Sequence, residues 1–236
     1  MSSIFLKTTM MILMVLDHIS YFISPEMSSV FHLITRPVAP VFAYLSVEGY
    51  LHTKNIKKYL FRLYVAAFII FIGNFLLNNF VIENELYYVH NNIVMTLALG
   101  VSALYLYDNI CINKLLNIFL LTIILILSLF TEGGIIIVPF MLISYIFRNN
   151  NKKRNMILIA ITAFLLPTAL VSYDSIKETL DMFFMNSDIL APIAGLPFIY
   201  LYNGKKGSDS KFFKYIFYVF YPMHLWIIAI VADKLI

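Results

Sequence analysis

Long runs of apolar residues dominate this chain, and a run of about twenty is enough to carry a helix across a bilayer. Nine such windows can be placed, at 4–23, 30–53, 58–80, 91–108, 113–130, 133–148, 155–173, 187–203 and 211–233. Each unpaired backbone amide costs several kcal/mol in hydrocarbon, so the windows are expected to be helical. Composition agrees: 61% of the 236 residues are hydrophobic and 13% charged, against roughly 45–50% and 25% in soluble domains. That leaves too little polar surface for a globule in water. The expectation is an all-α, polytopic integral membrane protein with about nine transmembrane helices, the short windows 133–148 and 187–203 tilted or partly re-entrant. No Gly/Ser linker, low-complexity tract or clear repeat divides the sequence, so residues 1–236 read as a single domain. The run starting near Ile4 lacks a small-residue cleavage site and contains Asp17 and His18, which reads as a span and not a signal peptide.

Charge placement tests the count. Taken at alternate ends of the nine windows, one side carries Lys7, Lys54, Lys57, Lys58, Arg62, Lys114, Arg148, Lys152, Lys153, Arg154, Lys205, Lys206, Lys211 and Lys214, and the other only Lys177 and Lys234. The poor side is acidic, with Glu26, Glu83, Glu85, Glu132, Asp174, Glu178, Asp181 and Asp188. The positive-inside rule then puts the amino terminus in the cytosol and the carboxyl terminus outside. A net charge of +4 invites a nucleic-acid partner. The bases sit in short loops between apolar runs, so none is expected. A lone cysteine, Cys111, excludes an intramolecular disulfide and a cysteine-built metal site.

Ionisable residues inside spans are expensive, face a bundle interior or a wet cavity, and mark function by default. Asp17 and His18 lie in the first window. Successive helical residues project about 100° apart, so the two are not expected to pair with each other. Asp17 is expected to pair across helices with Arg36, leaving His18 free as a base; the plainer account is a contact that fixes helix packing. The second window, FHLITRPVAPVFAYLSVEGYLHT, holds Arg36, Glu48, His52 and two prolines that open the backbone ladder. It is expected to line a polar passage through much of the bilayer. Glu48 and His52, one turn apart, can meet, as site residues or as an interfacial pair. Asn92, Thr96 and Gly100 fit close helix packing or substrate contact. His224, two residues after Pro222, is a site residue or a helix contact. The loop HTKNIKKYLFR gathers Lys54, Lys57, Lys58 and Arg62 at the cytosolic surface. Topology and anionic lipid account for it, or it docks an anionic ligand such as a nucleotide diphosphate. Neither a phosphate-cradling glycine loop nor GxSxG nor HExxH occurs, which disfavours ATP-driven transport in cis.

The segments LKTTMMILMVLDHISYFISP, RPVAPVFAYLSVEGYLHTKNIKKYLFRL, HNNIVMTLALGVSALYLYD and KYIFYVFYPMHLWII resemble the TraX family. That family is named for the membrane protein that acetylates the amino terminus of F-type pilin. It is distantly similar to the wider transmembrane acyltransferases, which include the lysosomal heparan-glucosaminide acetyltransferase. The resemblance runs over nearly the whole chain and is sharpest at Asp17-His18, from Arg36 to Thr53, and at Tyr221-Pro222 with His224; TEGGIIIVPF matches more loosely. It implies a multi-pass protein of the bacterial cytoplasmic membrane that moves an acetyl (acyl) group from acyl-CoA, the co-substrate. The acceptor would be an amine or hydroxyl, on a peptide amino terminus or an envelope sugar, and no metal is expected. Carried over by position, His18 and Asp17 become the catalytic pair. Arg36, Glu48, His52, Asn92, Thr96 and His224 fall at substrate-binding positions, while Lys54, Lys57, Lys58 and Arg62 would hold the nucleotide. His18 is expected to act as general base, with Arg36 or Asn92 stabilising the oxyanion; a route through an acyl-histidine is also open. The rival expectations are a secondary transporter or flippase, which also needs intramembrane acid–base groups, and a non-catalytic assembly partner.

Overall fold

A computed structural model describes residues 1–109, 113–208 and 210–236. Cys111 lies outside the described residues. Every element among the described residues is helical, and polar residues set where helices begin. Ser2, Ser24, Asn55, Asn92, Asn113, Asn150 and Ser175 each precede an apolar run, and each side chain accepts a backbone N–H of the first turn, the capping contact these residue types favour. The main helices are α1 (Ser3–His18), α2 (Pro25–Thr35), α3 (Val38–His52), α4 (Ile56–Phe80), α5 (Ile93–Asp108), α6 (Lys114–Ser128), α7 (Gly134–Ile146), α8 (Asn151–Leu165), α9 (Ile176–Met185), α10 (Ala191–Ala194), α11 (Leu196–Leu201) and α12 (Lys211–Leu235).

Each of the nine windows holds helix. Length and composition qualify four as membrane crossings, Ser3–Phe22, Pro25–His52, Ile56–Phe80 and Tyr215–Leu235. A fifth is added if Ile176–Met185 and Ser187–Leu201, bent by 59°, form one broken span. α5, α6 and α7 are apolar but shorter; sixteen residues of α5 reach roughly 24 Å, against roughly 30 Å of hydrocarbon. α9 was not among the nine windows.

α5 lies at the centre of the bundle. From Thr96 to Leu104 every residue is buried, and the helix packs against α4, α6 and α7. Small residues allow that closeness: a Cβ on Gly100 would run into the Met141 side chain. α1 packs against α2, α3 and α12. The second span breaks at Arg36-Pro37, between α2 and α3, because Pro37 has no N–H to give to the carbonyl a turn earlier. The break leaves a polar side chain at the junction of two half-helices. On α4, Asn74 donates to the Asn91 carbonyl at 3.0 Å, and Asn78 exchanges two hydrogen bonds with the Val89 backbone at 3.0 and 2.9 Å. Those bonds pin residues 89–91 at the entrance to α5. Trp226 reaches Asn74 through its indole N–H at 2.8 Å, over a Gly73 whose position has no room for a Cβ.

Candidate active site

A cavity of about 500 Å³ opens among α1, the α2–α3 break, the turn before α7 and the segment before α10. Its acidic and basic lining is Asp17, His18, His32, Arg36, Glu132 and Asp188, with Asn91 and Tyr221 among the polar residues beside them.

Arg36 organises one wall. Its Nη2 donates to both Asp17 oxygens at 2.9 and 3.0 Å, its Nη1 donates to Asp188, and its Nε donates to the His32 carbonyl at 2.6 Å. Thr35 adds a hydroxyl to Asp17 Oδ1 at 2.7 Å. The cross-helix Asp17–Arg36 pair expected from the sequence is present. A guanidinium suits this place because its planar fork satisfies several acceptors at once. His32, one turn before Arg36, brings its Nδ1 to 3.1 Å from Asp17 Oδ1 and 3.0 Å from Arg36 Nη2. Its Nε2, 3.9 Å from Asp188, is buried without a hydrogen-bond partner among the described residues.

The opposite wall is built around Glu132. Tyr221 donates to its Oε2 at 2.6 Å and Asn91 to its Oε1 at 3.1 Å, while the Ile93 N–H donates to the Tyr221 oxygen at 3.1 Å. Burial, the largest influence, pushes the Glu132 carboxyl above the usual carboxylate range, against the opposing pull of the Tyr221 and Asn91 donors. The two glycines that follow explain how the side chain is delivered. Gly133 has φ +64°, and a Cβ on Gly134 would collide with the Ser128 carbonyl.

His18 faces the cavity and forms no hydrogen bond among the described residues. Its ring lies 5.3 Å from that of His224. His224 stacks on Phe220 at 5.1 Å and its Nδ1 meets the Phe220 carbonyl at 3.0 Å, leaving a buried Nε2 without a partner among the described residues. The cavity therefore brings together Asp17, His18 and Arg36, with His224 directly behind.

The remaining sequence-derived positions lie elsewhere. Thr96 is fully buried and donates to the Glu132 carbonyl at 2.7 Å, so it holds the turn from beneath. Asn92 caps α5 and donates to the Ala67 carbonyl at 2.9 Å. Glu48 and His52 do meet, at 4.0 Å, but neither lines the cavity. Glu48 lies twelve residues along the helix from Arg36, roughly 18 Å at 1.5 Å per residue. Between them Phe42 lines the cavity and stacks on Phe217 at 4.1 Å, both rings buried. The polar lining of this helix stops at that layer and does not run on toward Glu48. Lys54, Lys57 and Lys58 are exposed at the start of α4, and Arg62 lies over the Tyr59 ring at 5.7 Å.

Four contributors were missed in the sequence reading: His32, Glu132, Tyr221 and Asp188. His32 had a signal, its i, i+4 spacing to Arg36. Glu132 had one in the adjacent glycines, while Asp188 reads as one more acid of an acidic side. Among the described residues no group of three His, Cys, Asp or Glu side chains is placed to hold a metal ion.

A family model described as TraX protein matches residues 2–232. The probable fimbrial assembly protein FimC, serogroup H1, of Dichelobacter nodosus is 27% identical over 227 residues, covering 93% of this chain and 91% of that protein. No solved structure matches.

Proposed function

From the premise that this chain belongs to the TraX family, we propose that it is a membrane-embedded acyltransferase that moves an acetyl group from acyl-CoA to an amine of a pilin-like or other secreted peptide. The observation that carries the reading is the cavity itself. A free imidazole, His18, stands beside a fixed guanidinium, Arg36, in a space of about 500 Å³, within the usual size of small-molecule sites. The family takes its name from pilin acetylation, and the relative is named for fimbrial assembly. Both fit an acceptor bound for the cell surface. Asp17, Glu132 and Asp188 line the cavity with the single Arg36, and these acceptors suit the several N–H groups of an amine better than a single sugar hydroxyl.

In this reading nine spans leave the amino terminus in the cytosol of a bacterial cytoplasmic membrane, so the cavity faces outward. The nucleotide of acyl-CoA rests on Lys54, Lys57, Lys58 and Arg62, and the pantetheine arm reaches inward past the Phe42–Phe217 stack, which must open to admit it. His18 takes the proton of the attacking amine, a role typically worth ~10²–10⁴ in rate. Arg36 supplies positive field for the oxyanion of the tetrahedral intermediate.

Protein reconstituted in lipid, given labelled acetyl-CoA and a peptide with a free amino terminus, is expected to label that peptide and not one with a blocked terminus. Labelling of an envelope sugar alone would move the acceptor to a hydroxyl. Transfer to neither would remove the reading. Secondary transport is a second reading, drawing on the broken helix at Arg36-Pro37; it predicts solute uptake with no covalent transfer.

A further inference from the structure

We propose that His32 is a second catalytic residue of this cavity, the general acid that protonates the thioester sulfur as it departs. The inference rests on the acyltransferase reading and assigns a role to a side chain that neither the family resemblance nor the FimC relative singles out.

Geometry separates the two cavity imidazoles. Among the described residues His18 touches no carboxylate and keeps both ring nitrogens free of hydrogen bonds, as a proton acceptor requires. His32 lies between two acids: Asp17 at 3.1 Å from Nδ1, and Asp188 at 3.9 Å from Nε2. The ionised groups facing His32 are Asp17 from α1, Arg36 from the end of its own helix and Asp188 from the turn before α10; His18 shares the cavity, and Asp181 on α9 is taken by the Ser29 hydroxyl at 3.2 Å. The ring thus lies between two acids, with the Asp17 carboxylate placed to receive a hydrogen from Nδ1. Nδ1 donates to Asp17 Oδ1, while Arg36 Nη2, 3.0 Å from the same nitrogen, gives its hydrogens to the Asp17 oxygens; the carboxylate then fixes the ring as it fixes the imidazole of a catalytic triad. The buried Nε2, unused by the fold, is left to donate to a ligand.

The step balances. The acceptor nitrogen attacks the acyl carbon, forming the C–N bond, and its proton passes to His18. Collapse of the tetrahedral intermediate breaks the C–S bond, the sulfur leaves with the electron pair, and the Nε2 proton of His32 completes the thiol. The products are an amide and a free thiol. His18 then loses its proton and His32 regains one from solvent.

An acid that serves a leaving group matters less when that group needs no proton. The test compares wild type and His32→Gln with acetyl-CoA and with the acetyl ester of an acidic aryl thiol, each with the peptide amine. The ratio of the two rates on one preparation does not depend on how much of the variant folds. His32→Gln is expected to lose about 10²-fold with acetyl-CoA and little of that with the aryl thioester. Equal losses with both donors, or no loss with either, would overturn the assignment while leaving the acyltransferase reading standing. A wild type that transfers from neither donor would overturn both.

Discussion

Tyr221 donates its phenolic hydrogen to Glu132 at 2.6 Å while its own oxygen accepts the Ile93 N–H at 3.1 Å. One hydroxyl thus ties α12 to the turn before α7 and to the first residue of α5. Tyr221→Phe leaves a buried N–H and a buried carboxylate oxygen each short of a partner, at a cost of about 1–3 kcal/mol per group. It also removes a donor that favours the ionised form, so the Glu132 carboxyl moves further up. Unfolding in detergent and the infrared band of the protonated carboxyl read the two effects. Wild-type stability with no growth of that band would contradict the contact.

Arg36 pairs with Asp17 and Asp188 at once. Removing one member of a buried ion pair strands the other, so Arg36→Met is expected to cost on the order of 3 kcal/mol, and Asp17→Asn added to it to recover part of the loss. A double-mutant cycle in denaturant measures the coupling. Additive losses from the two single substitutions would show that the pair is not formed.

The turn that presents Glu132 needs both of its glycines. Gly133→Ala places a side chain in the left-handed region, at roughly 1–2 kcal/mol. Gly134→Ala drives a Cβ into the Ser128 carbonyl, a backbone atom that cannot rotate away. Thermal melts are expected to rank Gly134→Ala below Gly133→Ala, and both below wild type. An unchanged melt for Gly134→Ala would mean that the approach is looser than described.

Much of the bundle was legible in the sequence because apolar length is a local signal: α1, α4 and α12 each coincide closely with one of the windows, 4–23, 58–80 and 211–233. The Asp17–Arg36 pair was legible too, since a buried acid needs a counter-charge and the nearest span offered one base. Glu48 and His52 misled for a physical reason. They share the second window with Arg36, but α3 carries them roughly 18–24 Å away, beyond the Phe42–Phe217 layer. His32 and Glu132 went unread because their partners are distant in sequence: Asp17 for one, Asn91 and Tyr221 for the other. α9 escaped because its ten residues fall below the length of a span, although α2 gives it a surface to pack on.

The most direct test of the cavity as the place of acyl transfer compares two histidines of the same chain. His18 lines the cavity, whereas His90 is exposed in the loop before α5, against Tyr88 at 6.3 Å. Initial rates of acetyl transfer to a peptide amine are to be measured in one lipid preparation for wild type, His18→Ala and His90→Ala. The account predicts a fall of ~10²–10⁴ for His18→Ala and a wild-type rate for His90→Ala. A His18→Ala protein that transfers as fast as wild type would contradict it.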